Sequence, residues 1–124
     1  GDSFKIAMYD SDATLAAGTT DYSTSEEITN TSGTAYTAGG EALTNVTPVS
    51  SSTTAYTNFS DVSWTSASFT ANAALIYNTT TGTGTGTTDA VAAIAFGGDK
   101  TATSGTFTIQ FPAAAASTAI LRIA

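Results

Sequence analysis

The chain has 124 residues, a formal net charge of −7 and only 10% charged residues, and it contains neither His nor Cys. The absence of both residue types excludes thiol nucleophiles and the usual ligands of structural zinc, and it removes the commonest general base. Three Lys and Arg residues against ten Asp and Glu residues also disfavour nucleic acid and anionic membranes as partners, because both are bound through clustered cations.

The remaining composition predicts strands, and we expect a single β domain over residues 1–124 with no enzymatic activity, cofactor or metal. Thr and Ser dominate the polar residues, and 10% of the residues are aromatic, a combination that favours pleated strands. Disorder is disfavoured, because disordered chains combine high charge with few aromatic residues. No apolar run approaches the roughly 20 residues that a membrane-spanning helix needs.

The first part of the chain predicts two strands separated by a long polar loop. Phe4, Ile6 and Met8 alternate with polar or small residues, which is typical of a half-buried strand. Residues 10–31 form the loop. Residues 41–51 predict the second strand, and a short strand is expected to follow over residues 55–59.

Apolar alternation continues in the second part. It slips by one residue between Val62–Trp64 and Ala67–Phe69, and such a slip requires a bulge or a bend. Ala73–Tyr77 and Ala90–Phe96 are apolar on both faces and predict central strands. Residues 79–88, rich in Thr and Gly, predict a flexible hairpin connection.

The last strands complete the fold prediction. A tight turn is expected after Phe96, with Asp99 and Lys100 paired on the surface. Strands are expected at Phe107–Phe111 and Ile120–Ile123. The pattern predicts an all-β sandwich or jelly-roll-like barrel of about seven or eight short antiparallel strands.

Two groups of carboxylates are candidates for a calcium site or a catalytic pair. Asp10 and Asp12 begin a spacing that puts Asp21 at the twelfth position of a calcium loop, but Leu15 stands where the tight turn requires Gly. We expect a solvated loop, with a weak calcium site as the alternative. Glu26–Glu27 point in opposite directions on an extended chain, so they predict solubility or a partner's salt bridge rather than a catalytic pair.

Four aromatic residues offer a second kind of site. Trp64, Tyr36, Tyr56 and Tyr77 could stack on sugars, but such residues more often fill a core or a subunit interface. We expect Trp64 in the core and Tyr36 at an interface or rim.

The order of several segments resembles a family of small tailed-phage virion proteins, described as head decoration or minor structural proteins. The segments are residues 32–44, Val62–Trp64, Ala74–Asn78, Ala95–Lys100 and Ile120–Ile123. The resemblance implies a decoration (cement) protein on the capsid exterior, bound to the major capsid protein, associated as a homotrimer, and often preceded by an N-terminal attachment segment. The interface residues expected are Tyr36, Gly39, Gly40, Glu41, Asp99 and Lys100.

Other functions remain open at this point. The domain could belong to a tail or fibre, or to a non-viral surface filament, an adhesin or a carbohydrate-binding module. A filament subunit could donate a free strand carrying Phe4, Ile6 and Met8.

Overall fold

Two antiparallel sheets make up the computed structural model, which describes residues 1–29, 33–80 and 88–123. The larger sheet has the strand order β2-β1-β5-β6 and the smaller one β3-β4-β7. The all-β prediction is confirmed, and the described residues contain no helix long and apolar enough to cross a membrane. The strands are β1 Phe4–Tyr9, β2 Glu41–Ala42, β3 Val49–Ser51, β4 Thr54–Thr57, β5 Val62–Asn78, β6 Ala90–Ile109 and β7 Leu121–Ile123.

The strands are less uniform than the sequence predicted. The expected strand over residues 41–51 is divided into β2 and β3. Strands β5 and β6 are 17 and 20 residues long. Each contains several segments that the sequence predicts as separate short strands. Residues 81–87 of the expected flexible connection between β5 and β6 lie outside the described residues.

A bulge joins the two predicted parts of β5. Trp64 pairs with Phe107 and Ala67 with Gly105, so two β5 residues face one β6 residue. One of the two, Ser66, has a φ of 52°. The bulge restores the inward direction of the apolar side chains after the slip in alternation, as the sequence predicted.

The expected tight turn after Phe96 is wrong, because the residues that follow Phe96 continue within β6. Ala71 pairs with Lys100 and Ala73 with Ala95, so Asn72 alone faces the four residues 96–99. Gly97 and Gly98 have φ values of 77° and 157°, and glycine adopts these without a Cβ penalty. The glycines therefore let four residues bulge out of one strand instead of reversing the chain.

One face of the larger sheet carries the main apolar cluster. Ile6 of β1 pairs with Ile76 of β5, and Ile76 pairs in turn with Ala92 of β6, so all three side chains lie on this face. The same cluster contains Phe59 and Phe111. This apolar layer is the main core.

The opposite face of the same sheet is covered by the polar segment after β1. Ala7 and Leu75 are fully buried there, and Leu15 and Tyr22 of the segment pack against them. Tyr22 stacks on Tyr77 with ring centroids 4.5 Å apart. Residues Ala74–Tyr77 of β5 are therefore buried on both faces of the sheet, as the sequence of Ala73–Tyr77 predicted.

The prediction for Ala90–Phe96 is wrong in one respect, because this segment lies in an edge strand. β6 pairs only with β5 among the described strands. Its inward residues are partly buried, whereas Val91, Ala93 and Ala95 are exposed. Small apolar residues on the outer face made the segment look buried on both sides.

Candidate functional site

The expected interface residues do not form one patch. Glu41 lies in β2 at one edge of the larger sheet, and Asp99 and Lys100 lie in β6 at the other edge. Three strand spacings of about 4.8 Å separate the two edges. Asp99 accepts a hydrogen bond from Asn72 Nδ2 at 2.9 Å, and no ion pair joins these two described residues, Asp99 and Lys100.

Tyr36 lies in the core, so its expected position at a rim is wrong. Its side chain is 1% exposed and its ring packs near Trp64 and Phe69. The hydroxyl accepts a hydrogen bond from Met8 N at 3.0 Å and donates one to Glu27 Oε1 at 2.6 Å. A side chain held in this way has no surface with which to contact a partner.

Gly39 and Gly40 serve the fold through their backbone. Gly39 N donates to Glu27 Oε1 at 2.7 Å, and Gly39 O accepts from the Tyr77 hydroxyl at 2.6 Å. Gly40 has a φ of 78°, and a Cβ on it would lie 1.8 Å from Ile6 O. The glycine pair therefore lets the turn approach β1 closely.

Glu27 is the polar centre of this region, and its expected role as a surface charge is wrong. The side chain is 8% exposed. Its carboxylate accepts hydrogen bonds from Tyr36 Oη and Gly39 N on Oε1, and from Tyr22 Oη at 2.6 Å on Oε2. Hydrogen bonds to a carboxylate are stronger than neutral ones, so three of them compensate the burial of the charge.

The backbone around Glu27 also holds the covering segment against β1. Glu27 forms an isolated antiparallel bridge with Tyr9. Ile28 N donates to Met8 O at 2.9 Å, and Asp10 N donates to Glu26 O at 3.0 Å. Glu27 therefore connects this segment, the turn before β2 and the sheet.

The pKa values of four tyrosines near Glu27 are all raised. Burial, with the nearby Glu27 charge, raises the pKa of Tyr9 to about 12 and that of Tyr77 to about 12. Burial and the hydrogen bond to Glu27 raise the pKa of Tyr22 and of Tyr36 well above the usual 10.0. All four phenols are therefore kept protonated by the fold.

The carboxylates considered for calcium are arranged differently from the expected loop. Oxygens of Asp10, Asp12 and Glu26 lie within 4.8 Å of one another. Asp21, expected at the twelfth position, instead forms an isolated bridge with Asp89. Asp12 and Glu26 are exposed, and exposed acidic groups of this kind are common without a cation.

The four aromatic residues considered for sugar stacking do not form an exposed platform. Trp64, as expected, and Tyr77 are 2% and 3% exposed, and Tyr36 is buried with them. Only Tyr56, in β4, is partly accessible among the four.

The sequence pattern does not predict two apolar surfaces that the structure shows. The first, here called the β6 groove, has a volume of about 610 Å³ and lies beside β6. It is lined by Ile94, Phe96, Lys100, the consecutive residues 107–112 and Ile120. The second, here called the β7 patch, consists of Leu121 and Ile123, which are 42% and 78% exposed. The alternation of apolar residues predicts strands here, but only the strand order shows that β6 and β7 are edge strands.

Comparison of the chain with protein-family models, with curated proteins and with solved structures finds no match.

Replacing Gly40 with Ala should destabilise the protein far more than replacing Gly97 with Ala. Both residues have a φ near 78°, but a Cβ at Gly97 would meet nothing within 4 Å, whereas at Gly40 it would overlap the β1 backbone. We expect a loss of about 1–2 kcal/mol for Gly97→Ala from backbone strain and about 4 kcal/mol or more for Gly40→Ala. Urea unfolding measures both, and equal losses would contradict the close approach of the turn to β1.

Replacing Glu27 with Ala should cost about 3 kcal/mol of unfolding free energy. The substitution leaves the buried Tyr36 hydroxyl and the partly buried Gly39 N–H without this acceptor, and an unsatisfied buried group costs about 1–3 kcal/mol. The adjacent Glu26 is exposed, so Glu26→Ala is the matched control and should change stability by less than about 0.5 kcal/mol. Similar values for the two variants would show that Glu27 is not a structural anchor.

The protein should lose stability as the pH rises from about 10 to about 12. The folded state raises the pKa of Tyr9 and Tyr77 from 10.0 to about 12, so the stability they confer is present below pH 10 and is lost above it. Ultraviolet absorbance of tyrosinate and circular dichroism should therefore change together, with Tyr56→Phe as background to remove the fifth phenol. Ionisation of these tyrosines near pH 10 with the circular dichroism unchanged would contradict the arrangement.

Proposed function

We propose that the chain is a structural virion protein, a decoration subunit that binds the outside of a tailed-phage head against the major capsid protein. The β6 groove is the observation that carries this proposal. It is lined by large apolar side chains that are only partly buried at an open sheet edge, and an incompletely covered apolar groove of this kind is typical of protein interfaces. The resemblance of the ordered sequence segments to decoration proteins indicates the kind of partner.

The β7 patch supports the same proposal independently. Leu121 and Ile123 lie two residues apart on an edge strand of the smaller sheet and are largely exposed. An oligomer buries such residues, and the proposed assembly is a homotrimer. Two apolar surfaces on different sheets would let one subunit contact both its own copies and the capsid.

The proposed mechanism is thermodynamic. A subunit that spans neighbouring capsid proteins finds its complete site only on the assembled shell. Binding to that state alone stabilises it by mass action, and a trimer multiplies the strength of modest single contacts. The formal charge of −7 keeps the free subunit dispersed and favours a basic surface on the partner.

The structure weakens two of the alternative functions. Strand donation by residues 4–8 would require a free strand, but β1 pairs with β5 along its whole length. Sugar stacking would require exposed rings, and three of the four aromatic residues considered are buried. A tail or fibre location uses the same apolar surfaces and is the second candidate.

Immunogold electron microscopy of the native source tests the proposal. Antibody raised against the folded domain should place gold over phage heads, with pre-absorbed antibody as the control. Gold confined to tails would replace the head assignment with the tail or fibre alternative. Gold on cellular filaments in the absence of phage would overturn the virion proposal.

A further inference from the structure

The β6 groove runs beside an open backbone edge. Six consecutive residues, 107–112, line it, and the first three of them, Phe107–Ile109, end β6. Neighbouring residues of a strand face opposite sides of the sheet, so both faces of this strand end and the backbone between them border the cavity. A groove lined only by the inner face would show alternate residues. The edge of the strand is therefore part of the groove wall.

The backbone of this edge has no strand partner. The start of β6 is covered, because Ala90 N donates to Thr20 O at 2.8 Å and Tyr22 N donates to Thr88 O at 2.9 Å. From residue 91 to residue 109, the described part of the chain supplies backbone partners from β5 alone. An exposed row of N–H and C=O groups is a template for another strand.

The floor of the groove is apolar and incompletely covered. Ile94, Phe96 and Ile109 pack against the main core but remain only partly buried, as does Ile120. Phe96 and Phe107 lie with ring centroids 6.4 Å apart, so the bulge between them brings the two halves of β6 together around the groove. Side chains of an added strand would meet these residues.

One cation borders this apolar surface. Among the described residues that line the groove, Lys100 alone is charged, and it is one of three Lys and Arg residues in the chain. Its side chain is exposed. A carboxylate on the occupant would therefore meet a complementary charge at the groove.

We propose that the β6 groove accepts an extended segment of a different protein as an added β-strand along Phe107–Ile109. The segment carries apolar side chains at alternate positions, which enter the groove, and a carboxylate that reaches Lys100. Backbone hydrogen bonds supply affinity and the alternate pockets supply selectivity.

This inference deepens the proposed function by naming the surface that contacts the capsid partner. It depends on that function only for the identity of the partner. Binding of a peptide to the groove can be measured without any virus, and the location of the protein can be measured without any peptide. Failure of one is therefore distinguishable from failure of the other.

The test uses two synthetic peptides of about six residues, the usual length of a strand. Both alternate Thr with Val and are blocked at their ends, and they differ only in carrying Asp or Lys at the terminal position. Each is titrated into isotopically labelled protein while amide signals are followed by NMR. Lys100→Glu reverses the charge at the groove. Lys5→Glu is the control, because Lys5 pairs with Tyr77 and so lies on the opposite face of the sheet.

We expect the Asp peptide to shift amides of residues 94–96, 100 and 107–111, and to bind about threefold more tightly than the Lys peptide, as for an exposed ion pair. Lys100→Glu should reverse this preference, and Lys5→Glu should leave it unchanged. Equal affinities for the two peptides, or shifts confined to the β7 patch, would overturn the proposal. Concentration-dependent shifts of the same amides without peptide would overturn it in favour of a second copy as the occupant.

Discussion

The buried carboxylate of Glu27 is the interaction on which the arrangement of this domain depends. It receives hydrogen bonds from Tyr22, Tyr36 and the Gly39 backbone, and so joins the covering segment, the core and the turn before β2. Burying an unpaired carboxylate in this position would destabilise the fold, whereas three hydrogen-bond donors make the buried carboxylate a specific link between these segments. In a chain with no Cys, such a polar anchor does part of the work that disulfides do in other small domains.

The segment and the turn that Glu27 connects cover the outer face of the larger sheet and the edge of β1. The edge of β6 beyond Ala90, at the other end of the sheet, has no such neighbour among the described residues. The covering segment buries Leu75 and Tyr77 on the outer face, and β2 covers the outer side of β1. Among the described residues, β6 beyond Ala90 has backbone hydrogen-bond partners in β5 alone. The bulge of β6 at residues 96–99 bends the strand so that Phe96 and Phe107 border one groove. The open edge and its apolar floor follow from the same topology.

Local patterns predicted the strands, and long-range partners determined what the patterns could not show. The alternation of Phe4, Ile6 and Met8 and the slip after Trp64 were sufficient to predict β1 and the β5 bulge. The burial of Glu27 depends on Tyr36 and Gly39, which lie 9 and 12 residues away, and no local pattern announces that contact. The position of β6 at an edge depends on strand order, which hydrophobic periodicity does not contain. For the same reason the β6 groove could not be found from the sequence.

Amide hydrogen exchange of the free domain and of the domain in its native assembly tests the central claim, that this protein functions by burying an open β6 edge against a partner. Outward-facing amides of Phe107–Ile109 should exchange rapidly in the free domain and become protected in the assembly, while the amides of β1 stay protected in both. Rapid exchange at Phe107–Ile109 in the assembly, with protection gained elsewhere, would contradict the claim.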